Sequence, residues 1–250
     1  MSKVANFQER MVPNEGDPYW HANHLARYAF VKVAATGKTV LDIGCGEGYG
    51  SGILAEVAHN VVAIDINEQA IERACQKYRR PNLEFAVMDS CHLSFPRSSF
   101  DLVCSFEVIE HVGKPEQYVS QIRRVLKEEG VFYMSTPNKD RYPLAGLNPF
   151  HKKEFVLKEL YDLLEPEFKH VDIFGQRCTL KARRLYHSRL AKFIYKIRSK
   201  LGIRLRFPTG LRELIERRIA GHSIQDAGVD DFDISQDNMA EAEEFIAVCR

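Results

Sequence analysis

Residues 40–50 read Val40-Leu41-Asp42-Ile43-Gly44-Cys45-Gly46-Glu47-Gly48-Tyr49-Gly50. Val40, Leu41 and Ile43 make a short apolar run of the kind a buried strand carries, three glycines follow at once, and 51–58 reads as a helix. Strand, glycine turn and helix in that order let a backbone approach a bound nucleotide closely. A second apolar strand, Val61-Val62-Ala63-Ile64, ends in Asp65. That places a carboxylate at the tip of a neighbouring strand about 20 residues after the glycines, where a ribose diol would lie. The alternatives are bland: a plain tight turn for the glycines and a helix N-cap for Asp65.

Outward from this stretch the chain alternates. Apolar strands are expected at 39–43, 60–64, 83–88, 100–105, 130–135 and 170–174, with a last one at 244–248. Helices are expected at 18–32, 50–58, 67–78, 115–127 and 157–164, the third opened by Asn67 as N-cap with acidic Glu68 behind it. Such alternation predicts an α/β fold: a doubly wound, mostly parallel, seven-stranded sheet with helices on both faces. Ligands in such sheets bind beyond the strand C-termini, where the strand order reverses.

At 250 residues the chain reads as one domain, 1–250, with an N-terminal lid segment 1–37 and an insertion 176–238 before the last strand. The insertion is where the charge is uneven. From Arg177 to Arg218 there are 14 Lys/Arg against two acids, a net +12, although the whole chain carries only +1. Tyr186, Leu190, Phe193, Ile194, Ile197 and Leu201 recur there at helical spacing between basic residues, which predicts a basic amphipathic helix. A second short helix is expected at 211–219, and 226–237 reads as an acidic, mobile link. No apolar run approaches the ~18 residues of a membrane span. The first residues lack the apolar core of a secretory signal. Six scattered cysteines without a C-x-x-C pair suit a reducing cytoplasm.

The spacing Gly44-x-Gly46-x-Gly48, with Asp42 two residues ahead, differs from the G-x-G-x-x-G of nicotinamide enzymes. It resembles motif I of class I S-adenosylmethionine-dependent methyltransferases. Further pieces match in order: Asp65; Asp89 after the third strand; Phe100-Asp101-Leu102-Val103; Arg124-Val125-Leu126-Lys127 with Glu129-Gly130; and Ser135-Thr136-Pro137-Asn138. The resemblance implies S-adenosyl-L-methionine as cofactor, with Asp42, Gly44, Gly46 and Gly48 in its loop. It implies Asp65 and Ile66 at the ribose, Asp89 and Ser90 at the adenine, and Phe106 and Arg27 near the methionyl part. Asp89 could equally cap the next turn, and Arg27 could be a solvated arginine on an amphipathic helix.

Directly after the fourth strand comes Phe106-Glu107-Val108-Ile109-Glu110-His111, and His151 follows in a later loop at the same sheet edge. Glu107, Glu110, His111 and His151 could converge as ligands of Mg²⁺ or Mn²⁺. This resembles the Glu-x-x-Glu-His site of small-RNA 3′-terminal and ubiquinone-pathway methyltransferases. Equally, His111 could be a base, with Glu107 and Glu110 beside it. O-methylation needs one or the other, because a neutral hydroxyl is a poor nucleophile. Thr136-Pro137-Asn138 lacks the Pro-Pro-Tyr signature of amino-group methylation. A finer resemblance, carried by Glu9–Pro13, His24–Tyr28, Cys45–Gly50, Asn148–His151 and Gly175-Gln176, is to methyltransferases of bacterial surface-polysaccharide gene clusters. It implies a sugar or glycan hydroxyl, anionic in keeping with the +12 segment, with peripheral contact at the inner membrane face as a further expectation. Quinone or phenolic acceptors and RNA 3′ ends are the rival expectations, nucleic acid being the weaker.

Overall fold

The computed structural model describes residues 18–141, 148, 150–179, 228–237 and 239–250. The expected basic helices at 186–201 and 211–219 lie outside the described residues. Helix α1 (Pro18–Lys32) leads into β1 (Thr39–Ile43), α2 (Tyr49–Leu54), β2 (Asn60–Asp65), α3 (Glu68–Lys77) and β3 (Leu83–Val87). Then come β4 (Phe100–Phe106), a 3₁₀ turn at Ile109–His111, α4 (Pro115–Val125), β5 (Leu126–Pro137), α5 (Leu157–Leu164), β6 (Val171–Cys178), β7 (Phe232–Ser235) and β8 (Glu244–Cys249).

The strands form one sheet in the order β3-β2-β1-β4-β5-β8-β6-β7. β1 pairs in parallel with β2 and β4, β3 extends one side and β5 the other, and β8 enters antiparallel between β5 and β6. The order therefore reverses between β1 and β4, which puts the crevice at the ends of those two strands. The sheet has one strand more than expected. β7 pairs with β6 through Gly175↔Ser235 to Cys178↔Phe232 and falls within the stretch read as a mobile acidic link. Its short Phe-Asp-Ile-Ser pattern was hidden by the acids around it. The sheet reclaims both ends of the expected insertion, since β6 runs on to Cys178 and β7 begins at Phe232.

Strand side chains alternate between faces, and the core divides accordingly. Leu41, Ile43 and Val103 pack on one face against Tyr118, Val119, Ile122 and Val125 of α4 and Leu160 and Leu164 of α5. Val40, Leu102 and Cys104 pack on the other face against Tyr28 and Val31 of α1 and Leu54 of α2. Full burial of each large aliphatic contributes about 1.5–3 kcal/mol, so both layers hold the central strands and the loops at their tips in place. Asn67 caps α3 as expected, its side chain accepting from the Ala70 amide at 2.9 Å.

Candidate functional site

The glycine loop is set by backbone demands. Gly44, Gly46 and Gly48 all have positive φ, at 73°, 55° and 81°, where side chains are strained. A Cβ at Gly48 would sit 2.7 Å from the Phe85 ring and 2.9 Å from the Ala74 methyl. At Gly46 a Cβ would meet nothing within 4 Å, so open space lies over the middle of the loop.

Asp42 lies beneath this loop, fully buried. Its carboxylate accepts from Ser51 Oγ at 2.6 Å, from the Tyr28 hydroxyl at 3.2 Å and from Cys104 Sγ at 3.4 Å. Burial pushes the carboxyl up to about 6, against the opposing pull of these hydrogen bonds. Asp42 thus ties α1, α2 and β4 to the loop. The Tyr28 ring stands over Gly50, where a Cβ would collide with it, so α1 is pinned onto the glycine helix. His24 on the same helix meets the Tyr49 hydroxyl at 3.1 Å.

At the tip of β2, Asp65 is 8% exposed. One oxygen accepts from the Gly46 amide at 3.0 Å and the other from the Asn67 amide at 2.8 Å. Ile66 beside it is 71% exposed, and Val87, which pairs with Asp65 across β3, is 51% exposed. Asp89 is exposed, and it caps the following turn through the Cys91 amide at 2.8 Å and meets His92 at 3.1 Å. The Cys91 hydrogen bond holds its carboxyl below the ordinary range. Ser90 stands next to it in that turn.

Arg27 is the least expected of the sequence candidates in its placing. It is 1% exposed. Nε donates to Gln176 Oε1 at 2.8 Å and Nη2 to Asn23 Oδ1 at 2.7 Å. Gln176 in turn donates to Asn23, at 2.7 Å to the side chain and 2.8 Å to the backbone. Glu244 of β8 lies 3.3 Å from Nη2 and accepts from Asn23; burial pushes its carboxyl up to about 8, although Arg27 opposes this. Nη1 is different. It is buried, makes no hydrogen bond among the described residues, and faces Glu107 Oε1 at 3.3 Å.

Phe106 closes β4 and packs edge-on against Tyr28 at 5.0 Å. Glu107 follows with φ 55°, a left-handed conformation that costs an ordinary residue about 1–2 kcal/mol. Ser135 holds it there: the Glu107 amide donates to the Ser135 carbonyl and hydroxyl oxygens, both at 3.2 Å, and Ser135 Oγ donates to Glu107 Oε1 at 2.7 Å. Strained backbone of this kind persists only where its surroundings fix it, and it clusters at functional sites.

Glu110 is 1% exposed and accepts from Thr136 Oγ1 at 3.2 Å. Burial, and after it the charge of Glu107, raises its carboxyl well above the usual range. His111 and His151 meet edge to face at 4.9 Å. His111 Nδ1 lies 3.1 Å from the Phe150 carbonyl, an acceptor, so Nδ1 carries a ring proton. His151 Nδ1 faces Glu154 at 3.0 Å, and its Nε2 faces the Asn148 amide nitrogen at 3.0 Å.

Of the four expected metal ligands, Glu110, His111 and His151 offer donor atoms within 4.8 Å of one another. Glu107 lies outside that group, because Arg27 and Ser135 engage its carboxylate. The carboxylate on His151 Nδ1 resembles the orienting partner of metal-bound histidines, while Asn148 holds the nitrogen a metal would use.

Sequence reasoning missed Asn23, Tyr28, Glu47, Ser51, Gln176 and Glu244. Glu47, 5% exposed, pairs with Arg73 at 2.7 Å. An aspartate inside an apolar strand run was the available signal for Ser51 and Tyr28, since a buried carboxylate requires donors. Gln176 was marked only as part of the Gly175-Gln176 resemblance, with no role, and nothing local marked Glu244; both reach Arg27 only through the fold.

Residues 41–134 match the family model described as a methyltransferase domain. The chain is similar over that stretch to methyltransferases. It is 37% identical over 161 residues to a protein of Mycolicibacterium smegmatis named a probable S-adenosylmethionine-dependent methyltransferase, covering 63% of this chain and 62% of that one. It is 32% identical over 137 residues to a ubiquinone biosynthesis O-methyltransferase of Actinobacillus pleuropneumoniae, covering 50% and 55%. The chain thus spans less than two thirds of the length of these relatives. In fold it is similar to the YcgJ protein of Bacillus subtilis, with TM-score 0.60, 19% identity and coverage of 91% and 98%.

Proposed function

We propose that this chain methylates a hydroxyl group of a small acceptor, using S-adenosylmethionine. One observation carries the reading: His111, a proton fixed on Nδ1 by the Phe150 carbonyl, stands one short turn beyond the end of β4, the strand that pairs with β1, from which the glycine loop springs. The residues present fit the cofactor. Its amino-acid carboxylate suits the buried Nη1 of Arg27, which lacks a hydrogen bond among the described residues. The space over Gly46 admits close backbone approach, Asp65 accepts the ribose hydroxyls, and the exposed Ile66 and Val87 supply an apolar wall for the adenine. When bound, the cofactor supplies an electrophilic methyl group on a sulfonium.

The chain's own work is proton handling and placement. His111 Nε2 takes the hydroxyl proton, and the Phe150 carbonyl keeps the ring in the tautomer that can do so. Edge-on contact with His151, itself braced by Glu154 and Asn148, keeps the imidazole from rotating away. Glu110, its carboxyl raised by burial, lies beside the two histidines.

The sugar hydroxyl expected from the sequence rests on resemblance alone. The ubiquinone-pathway relative supports a phenolic hydroxyl as the second reading, and the half-exposed Phe150 beside His111 offers a planar acceptor a stacking face. The +12 segment would meet an anionic acceptor or an anionic membrane surface. Among the described residues no helix is long and apolar enough to cross a membrane. The test is product mass after incubation with cofactor and a panel of glycosides, nucleotide sugars, dihydroxyphenols and amines. A hydroxyl compound gaining one methyl supports the proposal, and methylation confined to the amines refutes it.

A further inference from the structure

The geometry points to Glu107 as a place-holder for the cofactor's carboxylate on Arg27, and hence to an Arg27–Glu107 pair that reads the amino-acid end of the ligand. The inference rests on the cofactor reading above. Arg27's other directions are filled by groups that belong to the fold. Nε is taken by Gln176, and Nη2 by Asn23 with Glu244 behind it. Those partners are buried and held to one another, since Gln176 donates twice to Asn23 and Asn23 donates to Glu244. The guanidinium therefore cannot turn to follow a ligand. Nη1 is left, and among the described residues Glu107 is the acid that faces it.

Glu107 is a poor permanent partner. Its oxygen is 3.3 Å from Nη1 without hydrogen-bond geometry, whereas the same oxygen accepts from Ser135 Oγ at 2.7 Å. Its side chain is 19% exposed while that of Arg27 is fully buried, so Glu107 stands on the open side of the pair. An incoming carboxylate that meets Nη1 in line gains a charge-assisted hydrogen bond that Glu107 does not make. Glu107 swings off Nη1 as it does so, and Ser135 Oγ can donate to either of its oxygens. The exchange trades a misaligned contact for an aligned one, and a ligand without a carboxylate has nothing to trade.

Binding of two ligands to the full chain, measured by titration calorimetry, separates the possibilities. S-adenosylhomocysteine carries the amino-acid carboxylate and 5′-methylthioadenosine lacks it. Glu107→Gln keeps the side-chain size and removes the competing charge. Glu107→Asn removes the same charge with a residue that tolerates the left-handed backbone. In at least one folded variant, affinity for S-adenosylhomocysteine should rise about two- to fivefold, the scale of a partly exposed ion pair, with affinity for 5′-methylthioadenosine unchanged. Arg27→Lys should abolish the preference for the carboxylate-bearing ligand. Unchanged or weaker S-adenosylhomocysteine binding in the Glu107 variants would overturn the inference, as would an equal change for both ligands. Failure of the unsubstituted chain to bind either ligand would instead defeat the cofactor reading itself.

Discussion

Replacement of Asp42 by asparagine should change how stability depends on pH, by an amount set by burial. In the folded chain the Asp42 carboxyl is raised to about 6, against about 3.9 for an unfolded aspartate. A group raised on folding stabilises the native state fully below its unfolded value, and that contribution is lost as pH rises through the folded value. At about 1.4 kcal/mol per tenfold change in proton affinity, the difference corresponds to about 3 kcal/mol lost between pH 4 and pH 7. An asparagine side chain in its place would keep an oxygen to accept from Ser51 and would not ionise. All other titrations are common to both proteins and cancel in the comparison. Urea unfolding of both, at steps from pH 4 to pH 8, should show the stability of the unsubstituted chain falling relative to Asp42→Asn by about 3 kcal/mol, with the change centred between pH 4 and pH 6. A difference that stays flat across that range would mean that Asp42 is not held in the dry, three-donor environment described.

Asp65→Ala should weaken S-adenosylhomocysteine binding at least about tenfold, because charge-assisted hydrogen bonds contribute roughly 1.5–3 kcal/mol each; unchanged affinity by calorimetry removes Asp65 from the ribose. Gly46→Ala and Gly48→Ala should separate binding from folding. The first meets open space and should lose ligand affinity with about 1–2 kcal/mol of backbone strain. The second adds collision with Phe85 and Ala74, should cost about 2–5 kcal/mol in denaturant unfolding, and similar stabilities would refute the distinction. His111→Ala should abolish turnover of the acceptor found by product mass, whereas exhaustive chelation should leave the unsubstituted enzyme active; loss of turnover on chelation, restored by Mg²⁺ or Mn²⁺, would make Glu110, His111 and His151 a metal centre.

The parts of this site that were legible in the sequence are those built from consecutive residues. The Gly44–Gly48 spacing demands positive φ at fixed positions, and Asp65 ends a strand whose apolar period is plain. Helices α1 and α5 appear at their expected bounds because their apolar positions recur at helical spacing. Legibility failed where the partner is distant. Gln176 was quoted only within the Gly175-Gln176 resemblance, and it has no visible role until α1 brings Arg27 against it. Glu107 was grouped with Glu110 and His111 by proximity in sequence, yet its left-handed backbone turns it toward Arg27 and Ser135. β7 was missed because Asp230, Asp231 and Asp233 mask a strand whose place is decided by the free edge of β6.

β8 comes after every other described element and yet lies inside the sheet, bonded on both sides. During synthesis β5 and β6 must therefore wait, each with a row of open amide and carbonyl groups, until residues 244–249 arrive to fill the slot between them. Glu244, which braces Arg27, travels on that same strand. A nascent chain that has already made its glycine loop and both histidines is thus still two half-sheets with an unbraced arginine. Such edges are ready templates for the wrong partner. The hazard of misassembly should therefore concentrate on nascent chains caught in the interval before residues 244–249 appear.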